Sequence, residues 1–303
     1  MKKKLKIYFK KASKGPMAPL LASVWSILTF LYIGAMECKW HMMSAPKPSI
    51  EQQKIIRENV TFIYKSFERQ TMAKRLYHNI QKYYPGVRVI IADDSSKPLE
   101  LHGPGLQVIQ LPFNSGLSKG LNAAISKIQT PFTIRLDDDE LLTPYSDFHG
   151  QLDFLMKHPE VDMVGILYRN IPWQIAWRQN AKNYYRFHMS AAPRKLLIPH
   201  GTKIDETHVV LGKVPNIFIV KSEKYREVGY DDNIRMIDHH EFFYRAAGKL
   251  VATLDISCYV LHYHNPFHRD YEHYRSQIQE DLKYIRAKYC LMKNNEENTK
   301  DLN

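Results

Sequence analysis

The chain has 303 residues, of which 44% are hydrophobic and 24% are charged, so it is long and apolar enough to bury one large core or two smaller ones. Its 3 cysteines lie far apart, which excludes a disulfide scaffold and a cysteine-based zinc site. The net charge of +12 is inflated by seven lysines in the first fourteen residues. The rest of the chain carries an ordinary charge, and we expect no nucleic-acid partner.

An uncharged, apolar stretch over residues 17–36 follows this basic segment. Twenty helical residues at about 1.5 Å each span roughly the 30 Å hydrocarbon core of a bilayer. The lysine-rich flank is expected to stay in the cytosol, which predicts a single-pass type II membrane protein. A cleaved signal peptide and a buried core helix are the alternatives. The predicted organisation is a basic cytosolic tail (1–16), a transmembrane signal anchor (17–37), a stem (38–56), one globular domain (57–292) and a polar tail (293–303).

From residue 60 onward, apolar strand-like runs alternate with amphipathic helical runs. Predicted strands cover 60–65, 87–92, 107–111 and 132–136, with helices over 70–83 and 121–128; a last strand is expected over 250–260 and a last helix over 271–292. This order predicts an α/β fold with a mixed, mostly parallel sheet flanked by helices. In such sheets, ligands bind beyond the carboxyl ends of the strands.

Two acidic clusters fall at such strand ends: Asp93–Asp94 after the second strand and Asp137–Asp139 after the fourth. Carboxylates this close repel one another unless a cation or hydrogen-bond donors stabilise them. Mg²⁺ and Mn²⁺ prefer carboxylate oxygens and bridge to phosphates, so the sequence predicts a metal–diphosphate site. The alternative is that these residues cap a turn or a helix. Lys119, in a glycine-containing turn between the clusters, is a candidate phosphate contact.

Three segments in fixed order carry a family resemblance: ADDSS at 92–96, FNSGLSKGLNAA at 113–124 and the strand that ends in DDD at 137–139. This set resembles the inverting glycosyltransferases of family 2 and their relatives with the GT-A fold. Three further motifs, VPNIF at 214–218, REVGY at 226–230 and HxEFF at 239–243, are most similar to those of the ganglioside-type β-1,4-N-acetylgalactosaminyltransferases.

The resemblance implies a UDP-sugar donor, a divalent metal (Mn²⁺ or Mg²⁺) and a glycan or glycolipid acceptor. On the donor side it implies that Asp93 or Asp94 holds the uridine, while Asp138 lies nearer the ribose or the sugar. Arg69 is a further candidate phosphate contact, with a solvated surface arginine as the alternative. The metal ligands that it implies are Asp137 and Asp139, with His262 or His264 after the last strand as an additional ligand.

An inverting transfer needs a general base, and the segment 238–241 supplies the candidates. We favour Glu241, because a carboxylate beside aromatic rings has a raised pKa, with Asp238 second and His239 third. The alternative is that this segment is a helix cap or a polar surface face.

Acceptor recognition is expected within residues 167–213, where aromatic and basic side chains alternate. The resemblance implies transfer of N-acetylgalactosamine or another hexosamine by a membrane-anchored enzyme, in the Golgi of a eukaryote or at the inner membrane of a bacterium. The alternative is a catalytically inactive GT-A-like membrane protein that binds glycan or nucleotide.

Overall fold

A computed structural model describes residues 15–171, 195–263, 265, 267 and 278–289, and the structural statements below concern these residues. They contain eight helices. These are α1 (Ala18–Met42), α2 (Ile50–Asn59), α3 (Gln70–Tyr83), α4 (Leu117–Ile125), α5 (Phe148–Lys157), α6 (Ser222–Val228), α7 (Asp238–Ala246) and α8 (Ile278–Lys288).

The described residues also form one sheet of nine strands. The strands are β1 (Val60–Ser66), β2 (Arg88–Asp93), β3 (Leu106–Gln110), β4 (Phe132–Arg135), β5 (Glu140–Leu141), β6 (Met163–Ile171), β7 (His208–Val210), β8 (Phe218–Lys221) and β9 (Ala252–Tyr263). Their spatial order is β3-β2-β1-β4-β8-β6-β9-β5, and β7 pairs with β9 beside this row.

The predicted mixed α/β sheet is confirmed. The strands β3, β2, β1 and β4 are mutually parallel, as the sequence indicated. Antiparallel β8 follows, then the parallel pair β6 and β9, with β5 and β7 antiparallel to β9. Parallel and antiparallel pairings are thus equal in number among the described strands, because β8 contributes two antiparallel pairings and β9 contributes the other two.

Side chains of β1 point alternately into two hydrophobic cores, one on each face of the sheet. Phe62 and Tyr64 pack with α2, α3 and α5 on one face, whereas Ile63 packs with α4, α6 and α7 on the other. All three side chains are fully buried. This period of two is the signature of a strand with both faces covered.

The helix α4 begins four residues before its predicted start, at Leu117. Gly116, which precedes it, has φ of 100°, a conformation that glycine adopts without the steric cost of a side chain. The last helix is described over α8 only, and β9 extends to Tyr263.

The helix α1 is long and apolar enough to cross a membrane, by length and composition. It extends past the predicted limit of residue 37 to Met42. Trp40 near its end packs with Leu141 and Leu261, and Ser26 Oγ lies 3.0 Å from Tyr263 Oη. One stripe of α1 therefore contacts the sheet edge formed by β5 and β9.

Part of the predicted stem belongs to the folded domain. Ser49 and Gln52 form a capping box at the start of α2, and Ile56 on this helix is fully buried against the sheet. The predicted boundary between residues 56 and 57 therefore lies inside a helix that packs on the domain.

Candidate active site

Asp93 and Asp94, at the end of β2, are fully buried but have different partners. Both carboxylate oxygens of Asp93 accept hydrogen bonds from its own loop, from Ser95 Oγ at 2.6 Å and from Leu99 N at 2.8 Å. Asp93 therefore shapes this loop, and its predicted contact with uridine stays a prediction. Asp94 instead accepts from Gly116 N at 3.0 Å, which ties β2 to the turn before α4.

Lys65, on β1, is a site residue that the sequence analysis missed. Its Nζ lies 2.5 Å from Asp94 Oδ1, and its side chain is 8% exposed. Burial lowers the pKa of Lys65, while Asp94 and Asp138 act in the opposite direction. The available signal was a lysine inside an otherwise β-rich run. Lys119, which the sequence favoured as the phosphate contact, is exposed on α4.

Gly120 on α4 makes room for the Lys65 side chain. A Cβ added at Gly120 would lie 2.9 Å from Lys65 Cδ, closer than carbon atoms normally approach. The glycine-containing segment 114–120 thus has two roles: it forms a turn, and it leaves space for a buried lysine.

Arg69, at the start of α3, pairs with two carboxylates of the acidic turn. Its Nη1 donates to Asp139 Oδ2 at 2.8 Å, and its Nη2 donates to Asp138 Oδ1. Asp138 is 2% exposed, and its Oδ2 has no hydrogen-bond partner among the described residues. Burial raises the pKa of Asp138, and the Arg69 guanidinium opposes that rise. Arg69 thus neutralises part of the negative charge of the acidic turn 137–139.

Asp139 meets His262 from the last strand. His262 Nε2 lies 3.6 Å from Asp139 Oδ1. Backbone pairing sets this approach, because Glu140 on β5 is opposite His262 on β9 and Tyr263 N donates to Asp139 O at 2.7 Å. Tyr168 on β6 packs edge-on against the His262 ring, with 5.2 Å between ring centroids.

Asp137, which the family resemblance assigns to the metal, pairs with Arg135. Its Oδ1 lies 2.8 Å from Arg135 Nη2, and the Arg135 side chain is fully buried in β4. The guanidinium of Arg135 also donates to the backbone oxygen of Asn216. The structure therefore places Asp139 beside His262 and pairs one oxygen of Asp137 with a buried arginine, so the metal contact of Asp137 stays a prediction. The available signal for Arg135 was its charge inside the apolar run FTIRL at 132–136.

A divalent cation fits the Asp139–His262 pair as a site with two protein ligands. Among the described residues, no group of three His, Cys, Asp or Glu side chains is arranged to hold a metal. Mg²⁺ and Mn²⁺ commonly take one or two protein ligands and complete their shell with phosphate and water, so the two-ligand arrangement suits a metal–diphosphate complex. His264 lies outside the described residues.

Asp238 is the first residue of α7 and is 2% exposed. Burial raises its pKa to about 7, although Arg135 acts to lower it. Its Oδ2 is buried and has no hydrogen-bond partner among the described residues. A carboxylate with these properties is suited to accept a proton near neutral pH.

Glu241, the preferred base in the sequence, already accepts hydrogen bonds from two cations and a phenol, and the preference for it stays a prediction. It accepts from Arg245 Nε at 2.9 Å, from Lys288 Nζ at 2.6 Å and from Tyr289 Oη at 2.9 Å. Its role is to join α7 to α8.

His239, the third candidate for the base, is anchored through one ring nitrogen. Its Nε2 lies 2.7 Å from Val214 O, which requires Nε2 to carry the proton and donate it. Burial and the nearby Lys213 lower the pKa of His239 well below its ordinary value, so the ring is neutral and anchored.

Lys213 is a second buried lysine that the sequence analysis missed. It is 6% exposed, and its Nζ lies 2.9 Å from His240 Nε2. Burial lowers its pKa to about 7, with Asp238 acting to raise it. Its position directly before the VPNIF motif was the available signal.

Residues 61–208 match the family described as "Glycosyl transferase family 2". The chain contains a family 2 glycosyltransferase domain. The domain is 32% identical over 200 residues to mouse β-1,4 N-acetylgalactosaminyltransferase 2 and 31% identical over 201 residues to human β-1,4 N-acetylgalactosaminyltransferase 1. These matches cover 65% and 63% of this chain but only 38% and 36% of the relatives, so the chain spans little more than a third of their length.

Two solved structures share the fold at low sequence identity. TarS from S. aureus superposes with a TM-score of 0.52 at 15% identity, over 68% of this chain and 60% of that chain. The mannosyltransferase PcManGT from Pyrobaculum calidifontis superposes with a TM-score of 0.50 at 17% identity, over 88% and 76%. Both likenesses concern the fold and agree with the GT-A expectation.

Proposed function

We propose that this domain is an inverting, metal-dependent glycosyltransferase that transfers a hexosamine, N-acetylgalactosamine in the first instance, from a UDP-sugar to a glycan or glycolipid. The observation that carries this proposal is that three elements meet at the acidic turn 137–139, which contains Asp139 and whose Asp138 and Asp137 act on the pKa of Lys65 and of Asp238. These elements are the Lys65–Asp94 pair, the Asp139–His262 pair and the buried carboxylate of Asp238.

The names of the relatives support the donor. Two of them are β-1,4 N-acetylgalactosaminyltransferases, and a TarS crystal structure with the same fold contains UDP-GlcNAc. The PcManGT crystal structure contains GDP-Man and Mn²⁺. We extend a nucleotide-sugar donor and a divalent metal, Mn²⁺ or Mg²⁺, to this chain on that basis.

Asp139 and His262 would hold the metal. When bound, the ion supplies positive charge that stabilises the diphosphate as it leaves. On the donor side, Lys65 and Arg69 would bind phosphate oxygens, since both interact with Asp138 of the acidic turn. In the resting protein they compensate Asp94, Asp138 and Asp139.

Asp238 would take the proton from the acceptor hydroxyl. Its raised pKa matches a base that works near neutral pH, and its Oδ2, which has no hydrogen-bond partner among the described residues, leaves one oxygen for the acceptor. A single displacement at the anomeric carbon inverts the configuration and requires no covalent enzyme–sugar intermediate. The predicted acceptor segment 167–213 lies partly outside the described residues, which include Tyr168 but not 172–194.

The proposed location is a membrane, where α1 would contact lipid in place of the sheet edge of β5 and β9, with the lysine-rich residues before it in the cytosol. An alkaline carbonate wash of membranes from cells that express the full chain tests this. We expect the protein to stay in the pellet, and its release into the supernatant would overturn the anchor. The Golgi or the bacterial inner membrane remains the proposed compartment.

The decisive experiment uses the full chain in detergent with a panel of UDP- and GDP-sugars, acceptor glycans and Mn²⁺, followed by linkage analysis of the product. Asp139→Asn should abolish transfer. Asp153→Asn, which alters an exposed ion pair with Lys157, is the matched control and should leave transfer unchanged. A wild-type protein that binds UDP-sugar without any turnover would overturn the enzymatic proposal in favour of a binding protein.

A further inference from the structure

The helix α8 contributes a buried carboxylate to the loop that precedes α7. Asp281 is 3% exposed. It accepts hydrogen bonds from three consecutive backbone amides: Arg235 N at 3.1 Å, Met236 N at 2.6 Å and Ile237 N at 3.0 Å. Consecutive amides that converge on one anion form a nest, a rigid backbone arrangement that depends on its anion.

On one side, this nest leads directly to the proposed base. Ile237 is the N-cap of α7 and makes no side-chain cap hydrogen bond of its own, and Asp238 is the next residue. The negative charge of Asp281 lies at the amino end of α7, where it also interacts favourably with the helix dipole. The backbone position of Asp238 is thus set from α8.

On the other side, the same loop holds the turn before α4. Arg235 O accepts from Leu117 N at 2.9 Å, and the Arg235 guanidinium donates to Asn114 O. A Cβ at Gly116 would lie 3.2 Å from Arg235 Cα, so the two backbones are in close contact. Gly116 N in turn donates to Asp94, which pairs with Lys65.

Apolar packing holds α8 against this loop. Ile234 and Ile237 from the loop form a buried cluster with Leu282 and Ile285 from α8. The packing of α8 therefore fixes the position of the Asp281 carboxylate beside the three amides. Removing this carboxylate would leave those amides buried without an acceptor.

We propose that Asp281 is a positioning residue for sugar transfer. It holds the loop 235–237 in place. This loop fixes the position of the base Asp238 relative to the turn 114–117, which contacts the donor-side pair Lys65–Asp94. This inference rests on the proposed function, since it assigns Asp238 the role of base. Asp281 itself does not contact the reacting atoms.

The test compares Asp281→Asn and Asp281→Ala with Glu280→Gln in the full chain. Glu280 is the exposed neighbour on α8, so its substitution removes the same charge from the same helix without touching the loop. Active sites are counted by UDP binding in the presence of Mn²⁺, and kcat is expressed per binding site. Displacement of a reacting group by about 1 Å costs about 100-fold in rate.

We expect kcat to fall at least about tenfold in Asp281→Asn and further in Asp281→Ala, with the donor KM within about twofold of the wild type. Hydrogen exchange at the amides of residues 235–239 should become faster in both variants and not in Glu280→Gln. If kcat per binding site equals that of Glu280→Gln, the positioning role is refuted.

The exchange measurement separates this inference from the proposed function. Unchanged exchange at 235–239 in the Asp281 variants would refute the tether whether or not the protein transfers sugar. Faster exchange in a protein that shows no wild-type turnover would leave the tether in place and refute the transferase function, and with it the catalytic role of Asp281.

Discussion

His262 Nε2 lies 3.6 Å from Asp139 Oδ1, so the acidic turn after β4 and the end of β9 contribute one side chain each to the proposed metal site. Replacing either residue removes one of two protein ligands. We expect Asp139→Asn and His262→Ala each to weaken Mn²⁺-dependent UDP binding by about tenfold or more. Isothermal titration with UDP, with and without Mn²⁺, measures this.

Asp137→Asn is the matched control for this experiment, because it changes the same DDD sequence but a carboxylate that pairs with Arg135. It should retain Mn²⁺-dependent UDP binding within about threefold. A loss as large as that in Asp139→Asn would show that Asp137 is a ligand after all.

Asp238→Asn should separate catalysis from binding. General-base catalysis contributes about 10² to 10⁴ in rate, so we expect kcat to fall by that range while UDP binding is kept. Single-turnover transfer assays report the chemical step directly. Transfer at the wild-type rate would exclude Asp238 as the base.

Glu241→Gln should instead affect stability. Glu241 is buried and bonded to Arg245, Lys288 and Tyr289, two of which are cations. Their side chains are partly exposed, so we expect a loss of only about 1–3 kcal/mol in the free energy of unfolding. Chemical denaturation measures this loss, and kcat per folded molecule should change far less than in Asp238→Asn.

The pH dependence of kcat should follow the ionisation of Asp238. Burial raises the pKa of this carboxyl to about 7, with Arg135 lowering it and Asp137 raising it. A base works in its ionised form, so kcat should rise with pH through about 7. Lys213 and Tyr230 also interact with Asp238, and protonated Lys213 favours the ionised carboxylate.

Replacing Lys213 tests the direction of this effect. In Lys213→Met the acid limb of the pH profile should move to higher pH, because the carboxylate loses a neighbouring positive charge. Lys283→Met, on the exposed side of α8, is the control and should leave the profile in place. A shift to lower pH would contradict the assigned interaction.

Arg69 should stabilise the protein most strongly when no metal is bound. Its pairs with Asp138 and Asp139 compensate buried carboxylates, so Arg69→Ala should lower the free energy of unfolding by about 1–3 kcal/mol in a chelator. Mn²⁺ with UDP should reduce this difference. Lys82→Ala, which breaks an exposed pair with Glu37, should cost at most about 1 kcal/mol with no dependence on Mn²⁺.

The first half of the sheet could be predicted from the sequence, because β1, β2 and β4 are short apolar runs that end in polar or acidic turns. The second half could not, since antiparallel β8 and the pairing of β5 with β9 depend on contacts between distant segments. The same reason explains the site residues. The carboxylates stand out as clusters in the sequence. Their partners Lys65, Arg135 and Lys213 are isolated cations, and only the fold shows that they are buried near these carboxylates.

The choice of base illustrates this limit in one segment. Asp238 and Glu241 lie one helical turn apart on α7, and the sequence gives both an aromatic neighbourhood. They differ in their contacts with the segment that contains α8. Lys288 and Tyr289 bond to Glu241, whereas Asp281 bonds to the loop before Asp238. Spacing along the chain carries no information about that helix.

The two-residue strand β5 has a consequence for how this protein tolerates changes in length. Its register places Glu140 opposite His262 and Leu141 opposite Leu261. Neighbouring strand residues point to opposite sides, so slippage by one position would exchange the imidazole beside Asp139 for an aliphatic or phenolic side chain. Deletion of Glu140 would therefore leave the larger strands intact and still remove the imidazole from Asp139.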